Sequence, residues 1–256
     1  MVLPMDQFIS WFSQVFWALL RIGGFIMVVP IFGNQLVSPR IKMALALAVA
    51  LAVSPLLSAM PLLTELSVGL FVNVMLQLAA GIGLGFATML FFQLFVIAGQ
   101  FIGMQMGLGF AAMVDPGNGV QVTVLSQFFL MLVTLTFIAM NGHLVLLEVL
   151  VAGFKQFPLG TGLPLSELAL EIVRMGGWMF MGGVLVALPA VISLLVVNLA
   201  FGVMSRSAPQ LNVFSLGFPF SLLFGLLIVW VLLKGWLPQF DNLSREFLDF
   251  TGMWAS

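Results

Sequence analysis

Residues 66–114 read LSVGLFVNVMLQLAAGIGLGFATMLFFQLFVIAGQFIGMQMGLGFAAMV and contain no charged side chain. One helical crossing of a lipid bilayer takes roughly 20 residues, so this stretch is longer than one crossing requires. Its last part is rich in glycine, methionine and glutamine, and the turn residues Asp-Pro-Gly-Asn follow it at 115–118. Lipid offers no hydrogen bonds to free backbone groups, so non-helical chain at membrane depth is buried in protein or lines a cavity. The stretch therefore predicts an integral membrane protein with a non-helical element in its interior.

The composition of the whole chain indicates the same class. Hydrophobic residues make up 62% of the 256 residues, charged residues make up 7%, and the mean hydropathy is +1.23. Soluble domains carry roughly 25% charged residues, so eight basic and nine acidic side chains cannot cover a water-exposed surface. The formal net charge of −1 provides no basic surface for nucleic acid. The absence of cysteine excludes disulfides, thiolate metal ligands and a cysteine nucleophile.

Six hydrophobic units, several of them interrupted by glycine or proline, follow one another along the chain. This pattern predicts an all-α membrane protein with about six long, kinked helical units. Residues 141–167 form a mixed stretch with Pro158 and Pro164, in which His143 lies near a helix start, and 202–216 is predicted as a polar loop. The tail from Asp241 mixes apolar side chains with acidic and basic ones, which predicts a short interfacial helix. The six units run over residues 8–29, 43–60, 68–101, 122–140, 168–201 and 217–237.

Glycines recur with a four-residue spacing at the end of the third unit, at Gly99, Gly103 and Gly107. Small residues at this spacing form a flat ridge that another helix can approach closely. Two interpretations stay open. The ridge either packs against another part of the same chain, or it forms a contact face for other subunits or a wet lumen. Gln93 and Gln100 fall on one face of the same unit, and uncovered glutamine is expensive at membrane depth.

Residues 103–121, called here the methionine–glycine segment, also have two interpretations. Its methionines are flexible side chains that repack easily, and its glycines allow backbone shapes that other residues resist. The segment is either a deformable plug that closes a conduit and yields to a passing polypeptide, or an ordinary surface loop between two spans. Its apolar residues between 108 and 114 are unusual for a loop in solvent.

The sequence offers little for catalysis. His143 is the only histidine, so a multi-histidine metal site is excluded, and Glu148 lies five residues away on a different helix face. Neither a nucleophile elbow nor a Walker-type lysine loop occurs. We therefore predict no catalytic residues, no metal ligands and no cofactor. Arg21 and Glu148 lie in apolar surroundings and are expected to be paired or to face a water-filled interior. An intramembrane enzyme centred on His143 and a small-molecule transporter with a broken-helix binding site stay as alternatives.

Four passages resemble the FliR family (flagellar biosynthesis protein R), the export-gate subunit of type III secretion systems. The resemblance spans nearly the whole chain. The last passage is the most specific, because an Arg-x-x-Pro-Gln-x-Asn-x-Phe string is hard to reach by hydrophobic bias alone, and it favours the flagellar branch over injectisome relatives. The passages are GMQMGLGFAAMVDP (103–116), NGHLVLLE (141–148), FKQFPLG (154–160) and SRSAPQLNVFSLGFP (205–219).

The resemblance implies a conduit component rather than an enzyme: a core subunit of the flagellar type III protein-export gate, which helps form and close the conduit for unfolded flagellar proteins. It implies a P-subunit-like part at 1–165 and a Q-subunit-like helical hairpin with the interfacial tail at 166–256. Expected partners are several copies each of the P and Q subunits, the B and A subunits of the export apparatus, the unfolded substrates and the membrane, with no nucleic acid. The expected location is the bacterial inner membrane, at the flagellar basal body.

The resemblance also implies two functional segments. The plug lies within the methionine–glycine segment, and a loop at the cytoplasmic entrance contacts a partner near the B subunit. The implied plug and gating residues are Gly107, Leu108, Gly109, Phe110, Ala111, Ala112, Met113, Val114, Asp115 and Pro116. The implied entrance residues are Arg206, Pro209, Gln210, Asn212 and Phe214.

Overall fold

The computed structural model describes residues 5–33, 37–57, 61, 67–109, 123–159, 164–207 and 213–252. For residues 6, 33, 205, 207 and 213–216 it describes the backbone alone. Within these ranges the chain is helical and no strand occurs. The helices are α1 (Met5–Val28), α2 (Pro30–Gly33), α3 (Pro39–Val53), α4 (Val68–Gln105), α5 (Val124–Ala139), α6 (Gly142–Gln156), α7 (Leu165–Ser207), α8 (Val213–Leu232) and α9 (Trp236–Thr251), with 3-10 turns at Ser54–Leu56 and Leu233–Gly235.

The lengths and hydropathies of these helices confirm the prediction of an all-α membrane protein. Among the described residues, five helical stretches are long and apolar enough to cross a membrane, and six if α5 and α6 form one broken span. Helix α4 is apolar on all sides, contains no proline, and passes through the end predicted for the third unit to reach Gln105. Helix α7 continues through Pro189, and the Ser193 hydroxyl donates to the Pro189 carbonyl at 2.7 Å.

Helices extend into the predicted mixed stretch 141–167 and into the predicted loop 202–216. The stretch 141–167 contains α6, which starts because Asn141 takes a left-handed conformation (φ 58°) and its carbonyl accepts the Leu144 N–H at 2.9 Å. No proline follows until Pro158, and Leu146, Leu150 and Phe154 recur every four residues on the buried face. The stretch 202–216 is also shorter as a connection than predicted, because α7 extends to Ser207 and α8 begins at Val213.

The chain packs as two compact units. Unit 1 comprises the described residues of Met1–Leu90, Phe137–Met175 and Phe247–Ser256, and unit 2 comprises those of Phe91–Thr136 and Gly176–Glu246. The division near residue 165 into P-subunit-like and Q-subunit-like parts stays a prediction.

In unit 1, helices α1 and α4 approach each other at glycines. A Cβ atom at Gly85 would lie 3.0 Å from the Phe25 carbonyl oxygen and from the Val28 Cβ, and one at Gly81 would overlap the Arg21 carbonyl oxygen. Larger residues at these positions would therefore force the two backbones apart, consistent with the packing role of small residues in membrane helices.

The Arg21 side chain is buried in unit 1, with 1% of its surface exposed. Its Nε donates to Gln77 Oε1 at 2.7 Å, its Nη2 donates to the Phe157 carbonyl at 3.1 Å, and its guanidinium lies 3.9 Å from the centre of the Phe154 ring. Within the described part of the chain, the ion pairs are made by Arg174 and Arg245 instead. Arg21 is thus held by an amide group of α4 and by a carbonyl and an aromatic ring at the C-terminal end of α6.

The core of unit 2 is a cluster of aromatic rings around α9. Phe240 lies 5.8 Å from Phe91, and Trp236 lies 5.2 Å from Phe95 and 5.8 Å from Phe129, measured between ring centres. Trp236 Nε1 also donates to Thr136 Oγ1 at 2.9 Å, so its polar atom is satisfied inside the core. Helix α9 includes the tail predicted from Asp241, and Trp236 and Phe240 in its first turns pack against α4 and α5. Its position at a membrane surface stays a prediction.

Candidate functional site

Helix α4 ends in a Schellman motif at the start of the methionine–glycine segment. The Leu108 N–H donates to the Gly103 carbonyl at 2.9 Å, and the Gly107 N–H donates to the Met104 carbonyl at 3.0 Å. Gly107 has a φ of 83°, the left-handed conformation that glycine adopts without a steric penalty. Gly107 therefore terminates the helix, and the four-residue spacing does not place it on the face formed by Gly99 and Gly103.

Gly99 and Gly103 pack within the chain, against the start of α5. A Cβ atom at Gly99 would lie 2.6 Å from Ser126 Cα, and one at Gly103 would lie 2.6 Å from Thr123 Oγ1. Real Cβ atoms essentially never lie within 3.0 Å of such a neighbouring heavy atom. The intramolecular interpretation thus accounts for these two glycines, because a larger residue would press on the α5 backbone at Gly99 and on the Thr123 side chain at Gly103.

A polar network joins the same two helices. Gln100 Oε1 accepts the Thr123 N–H at 2.9 Å and the Ser126 hydroxyl at 3.1 Å. Thr123 caps α5, because its Oγ1 accepts the Ser126 N–H at 3.2 Å, and the same hydroxyl donates to the Gly99 carbonyl at 3.3 Å. Thr123 and Ser126 are both buried. Gln100, which was predicted to need polar partners at membrane depth, therefore finds them in the first turn of α5.

These contacts fix the chain on both sides of residues 110–122. Before them, the Schellman motif sets the direction in which the backbone leaves α4. After them, Thr123 is hydrogen-bonded to Gln100 and packed on Gly103, which lies in the last turn of α4. Both flanks are thus attached to one end of one helix.

The methionines at this helix end differ in their surroundings. Met104 is 60% exposed, whereas Met106 is 1% exposed. The Met106 side chain fills a notch at Gly225 of α8, where an added Cβ would lie 2.6 Å from its Cε and 2.7 Å from its Sδ. A cavity of about 340 Å³ adjoins this contact in unit 2. Its lining residues are Met104, Gln105, Met106, Gly107, Asn198, Phe201, Gly202, Gly217, Phe218 and Ser221.

Asn198 joins three helices beside this cavity. Its Nδ2 donates to the Gln105 carbonyl at 3.2 Å, and its Oδ1 accepts the Ser221 hydroxyl at 2.7 Å. Neither Asn198 nor Ser221 was predicted as a site residue from the sequence. A signal existed for Asn198, because it is a lone amide within the apolar run LLVVNLAFG. Thr123 and Ser126 were missed because their partners are more than 20 residues away in sequence.

Most of the predicted site residues lie outside the described part of the chain. Of the plug residues, Gly107, Leu108 and Gly109 are described. Of the entrance residues, Arg206 lies exposed in the last turn of α7, where its charge favours the helix C-terminus, and Phe214 is described by its backbone in the first turn of α8. Outside the described residues lie Phe110, Ala111, Ala112, Met113, Val114, Asp115, Pro116, Pro209, Gln210 and Asn212.

His143 and Glu148 are not drawn together into a site. The Nδ1 atom of His143 is buried without a hydrogen-bond partner among the described residues, whereas Glu148 is exposed. A cavity of about 670 Å³ in unit 1 is lined by Glu148 and Lys155 but not by His143. Within the described ranges, no three His, Asp or Glu side chains are grouped to hold a metal ion. The described geometry assembles no acid–base pair around the histidine.

Comparisons with known proteins cover almost the whole chain. The family model described as bacterial export proteins, family 1, matches residues 12–247. The chain is similar to the flagellar biosynthetic protein FliR of Escherichia coli strain K12, with 37% identity over 247 residues, covering 95% of this chain and 93% of the relative. FliR of Pectobacterium carotovorum is 34% identical over 94% of this chain and 92% of its own length. FliR of Bacillus subtilis strain 168 is 30% identical over 84% of both chains.

Proposed function

This chain belongs to the FliR family of bacterial export proteins, and from that premise we propose that it is a core subunit of the flagellar type III protein-export gate. In this role it helps form and close the conduit through which unfolded flagellar proteins leave the cell. The family supports a role in flagellar protein export, and the helices make the chain a membrane protein. Conduit closure by the methionine–glycine segment is our proposal.

One observation carries this proposal: the described residues on both sides of 110–122 are held at the same end of α4. Gly107 fixes the exit from α4, and Gln100 and Gly103 fix the return at Thr123. A segment that yields to a passing polypeptide and then closes again needs fixed ends, because otherwise each passage would disturb the surrounding helices. Apolar constrictions can also hold back ions by excluding water, which suits a soft closure between fixed anchors.

The exposed surface of the α7–α8 hairpin supports assembly with other hydrophobic subunits. Large apolar side chains are exposed along both helices, and such a surface needs lipid or protein to cover it. We propose that copies of the P and Q subunits cover much of it. The exposed residues include Phe180, Met181, Leu185, Leu188, Ile192, Leu195, Val196, Leu199, Leu223, Leu226, Leu227 and Trp230.

We further propose that residues 1–165 act as the P-subunit-like part and residues 166–256 as the Q-subunit-like part, in the inner membrane at the flagellar basal body. The cytoplasmic entrance is proposed around Arg206, which is exposed at the end of α7. The B subunit, the A subunit and unfolded substrates would meet the chain on that side. We propose no catalytic step and no cofactor.

The subunit proposal is tested by purifying a tagged chain from its native genomic context in mild detergent, followed by native mass spectrometry. Co-purification with several copies of two other small hydrophobic proteins is the expected result. A lone or self-associated chain that is stable in detergent would contradict the proposal, and it would instead fit a small-molecule transporter with a broken-helix site.

A further inference from the structure

Asn198 holds the last carbonyl of α4. Helix C-termini leave their final carbonyls without intrahelical partners, and Gln105 is the last residue of α4. Asn198 Nδ2 donates to that carbonyl from α7 at 3.2 Å. An unpaired carbonyl is expensive in an apolar environment, so this bond favours one position of the helix end over others.

The Asn198 amide is itself oriented by α8. Ser221 is buried, and its hydroxyl donates to Asn198 Oδ1 at 2.7 Å. This bond fixes which end of the amide is the donor, because the oxygen is occupied and the nitrogen faces Gln105. One side chain of α7 thus links the end of α4 to α8.

A second contact joins α4 to α8 at the same level. The buried Met106 side chain sits on Gly225 with no room for a Cβ atom between them. The cavity of about 340 Å³ lies beside both contacts. Asn198, Ser221 and Met106 all contribute to its lining.

We propose that Asn198 is a positioning residue, which latches the end of α4 to the α7–α8 hairpin and thereby sets the resting position of Gly107, where the methionine–glycine segment leaves the helix. The proposed consequence for conduit closure rests on the function proposed above, whereas the latch between the three helices does not.

The latch is tested with a cysteine pair in the assembled complex. The chain has no native cysteine, so Met106→Cys with Gly225→Cys introduces a single pair across the α4–α8 contact. The rate of disulfide formation under a mild oxidant then reports how often the end of α4 sits against α8. Asn198→Leu is added to this background because leucine is similar in size to asparagine and lacks its hydrogen bonds.

Two further variants keep the test decisive. Ser221→Ala removes the bond that orients Asn198 and changes little volume, so it replaces Asn198→Leu if the latter does not assemble. Ser193→Ala is the matched control, because Ser193 lies on the same helix, is exposed, and donates to its own helix at Pro189.

We expect Asn198→Leu to slow disulfide formation about fivefold, because that is the effect of losing one hydrogen bond. Ser221→Ala should slow it as well, and Ser193→Ala should leave it at the parent rate. We also expect Asn198→Leu to raise the ion conductance of the complex, and disulfide formation to return it to the parent level. An unchanged disulfide rate in both Asn198→Leu and Ser221→Ala would overturn the latch. A conductance that stays raised after the disulfide forms would overturn its positioning role.

Different results would contradict the proposed conduit closure and the proposed latch. A complex that lacks residues 110–116 and shows no added conductance would contradict conduit closure, whatever the disulfide rates are. A complex that conducts after that deletion but is indifferent to Asn198→Leu and Ser221→Ala would contradict the latch alone.

Discussion

Gln100 Oε1 accepts the Thr123 backbone N–H at 2.9 Å and so joins the helix that leads into the methionine–glycine segment to the first described residue after it. One glutamine side chain thus links the chain before residues 110–122 to the chain after them. The Ser126 hydroxyl donates to the same oxygen at 3.1 Å, so both acceptor sites of Gln100 Oε1 are used.

Replacing Gln100 by leucine should loosen the start of α5. The Thr123 N–H and the Ser126 hydroxyl would lose their partner, and we expect a loss of about 1–3 kcal/mol in stability. Faster hydrogen exchange at the amides of Thr123 and Ser126 in the assembled complex would report it. Gln93→Leu, seven residues earlier on the same helix, is the control and should leave these amides unchanged. Equal exchange in the two variants would contradict the role assigned to Gln100.

Gly99→Ala should destabilise the chain more than Gly103→Ala. At Gly99 the added methyl meets the backbone of Ser126, which cannot move alone, whereas at Gly103 it meets the Thr123 side chain. Overpacking of this kind costs about 1–3 kcal/mol, against a helix-propensity gain of about 1 kcal/mol. Thermal unfolding in detergent measures the difference. Gly177→Ala, where nothing lies within 4 Å, is the control and should be neutral or slightly stabilising.

Arg21→Lys should lower the stability of unit 1 by about 2 kcal/mol. An ammonium group is a point donor and cannot reproduce the flat guanidinium that bonds to Gln77 and Phe157 while facing the Phe154 ring. Thermal unfolding and cellular abundance of the chain are the measurements. Arg245→Lys is the control, because its ion pair with Asp241 is largely exposed and contributes little. If Arg21→Lys lost no more stability than Arg245→Lys, the positive charge at residue 21 would suffice and the role assigned to the flat guanidinium would be contradicted.

Trp236→Phe and Thr136→Val should be coupled. Each removes the hydrogen bond between Trp236 Nε1 and Thr136 Oγ1, and each leaves the aromatic cluster largely in place. Either single change should cost about 1 kcal/mol, and the double variant should cost less than the sum of the two, as a double-mutant cycle in thermal unfolding would measure. Trp230→Phe, at a 61% exposed tryptophan, should not couple to Thr136→Val. Strict additivity of the first pair would contradict the bond.

The helices were largely predictable because membrane helices can be identified in a sequence by their length and hydropathy. The bounds of α6 were not predicted within the mixed stretch 141–167, because Gly142, His143 and Lys155 lower its hydropathy and because Asn141 indicates a turn without showing how long a helix follows it. Residues 202–216 were predicted as a loop because they are polar, but they include the last turn of α7 and the first turn of α8. Helix ends carry polar residues as readily as loops do.

The close helix contact at Gly99 and Gly103 was predictable, whereas the side chains that hydrogen-bond around it were not. Glycine spacing indicated a close helix contact at Gly99 and Gly103, but it also extended to Gly107, which ends the helix. Spacing along a sequence cannot distinguish a helical glycine from a helix-ending one when the four-residue period continues through both. The partners of Gln100 and Asn198 depend on long-range packing, which a single sequence does not specify.

The most direct test of conduit closure is the ion conductance of the purified export-gate complex, with and without residues 110–116, in planar bilayers. The deletion retains Gly107 and Thr123, so both anchors stay in place and native mass spectrometry can verify an unchanged subunit composition. We predict that conductance rises in the deletion complex. The same subunit composition with unchanged conductance would contradict closure by this segment.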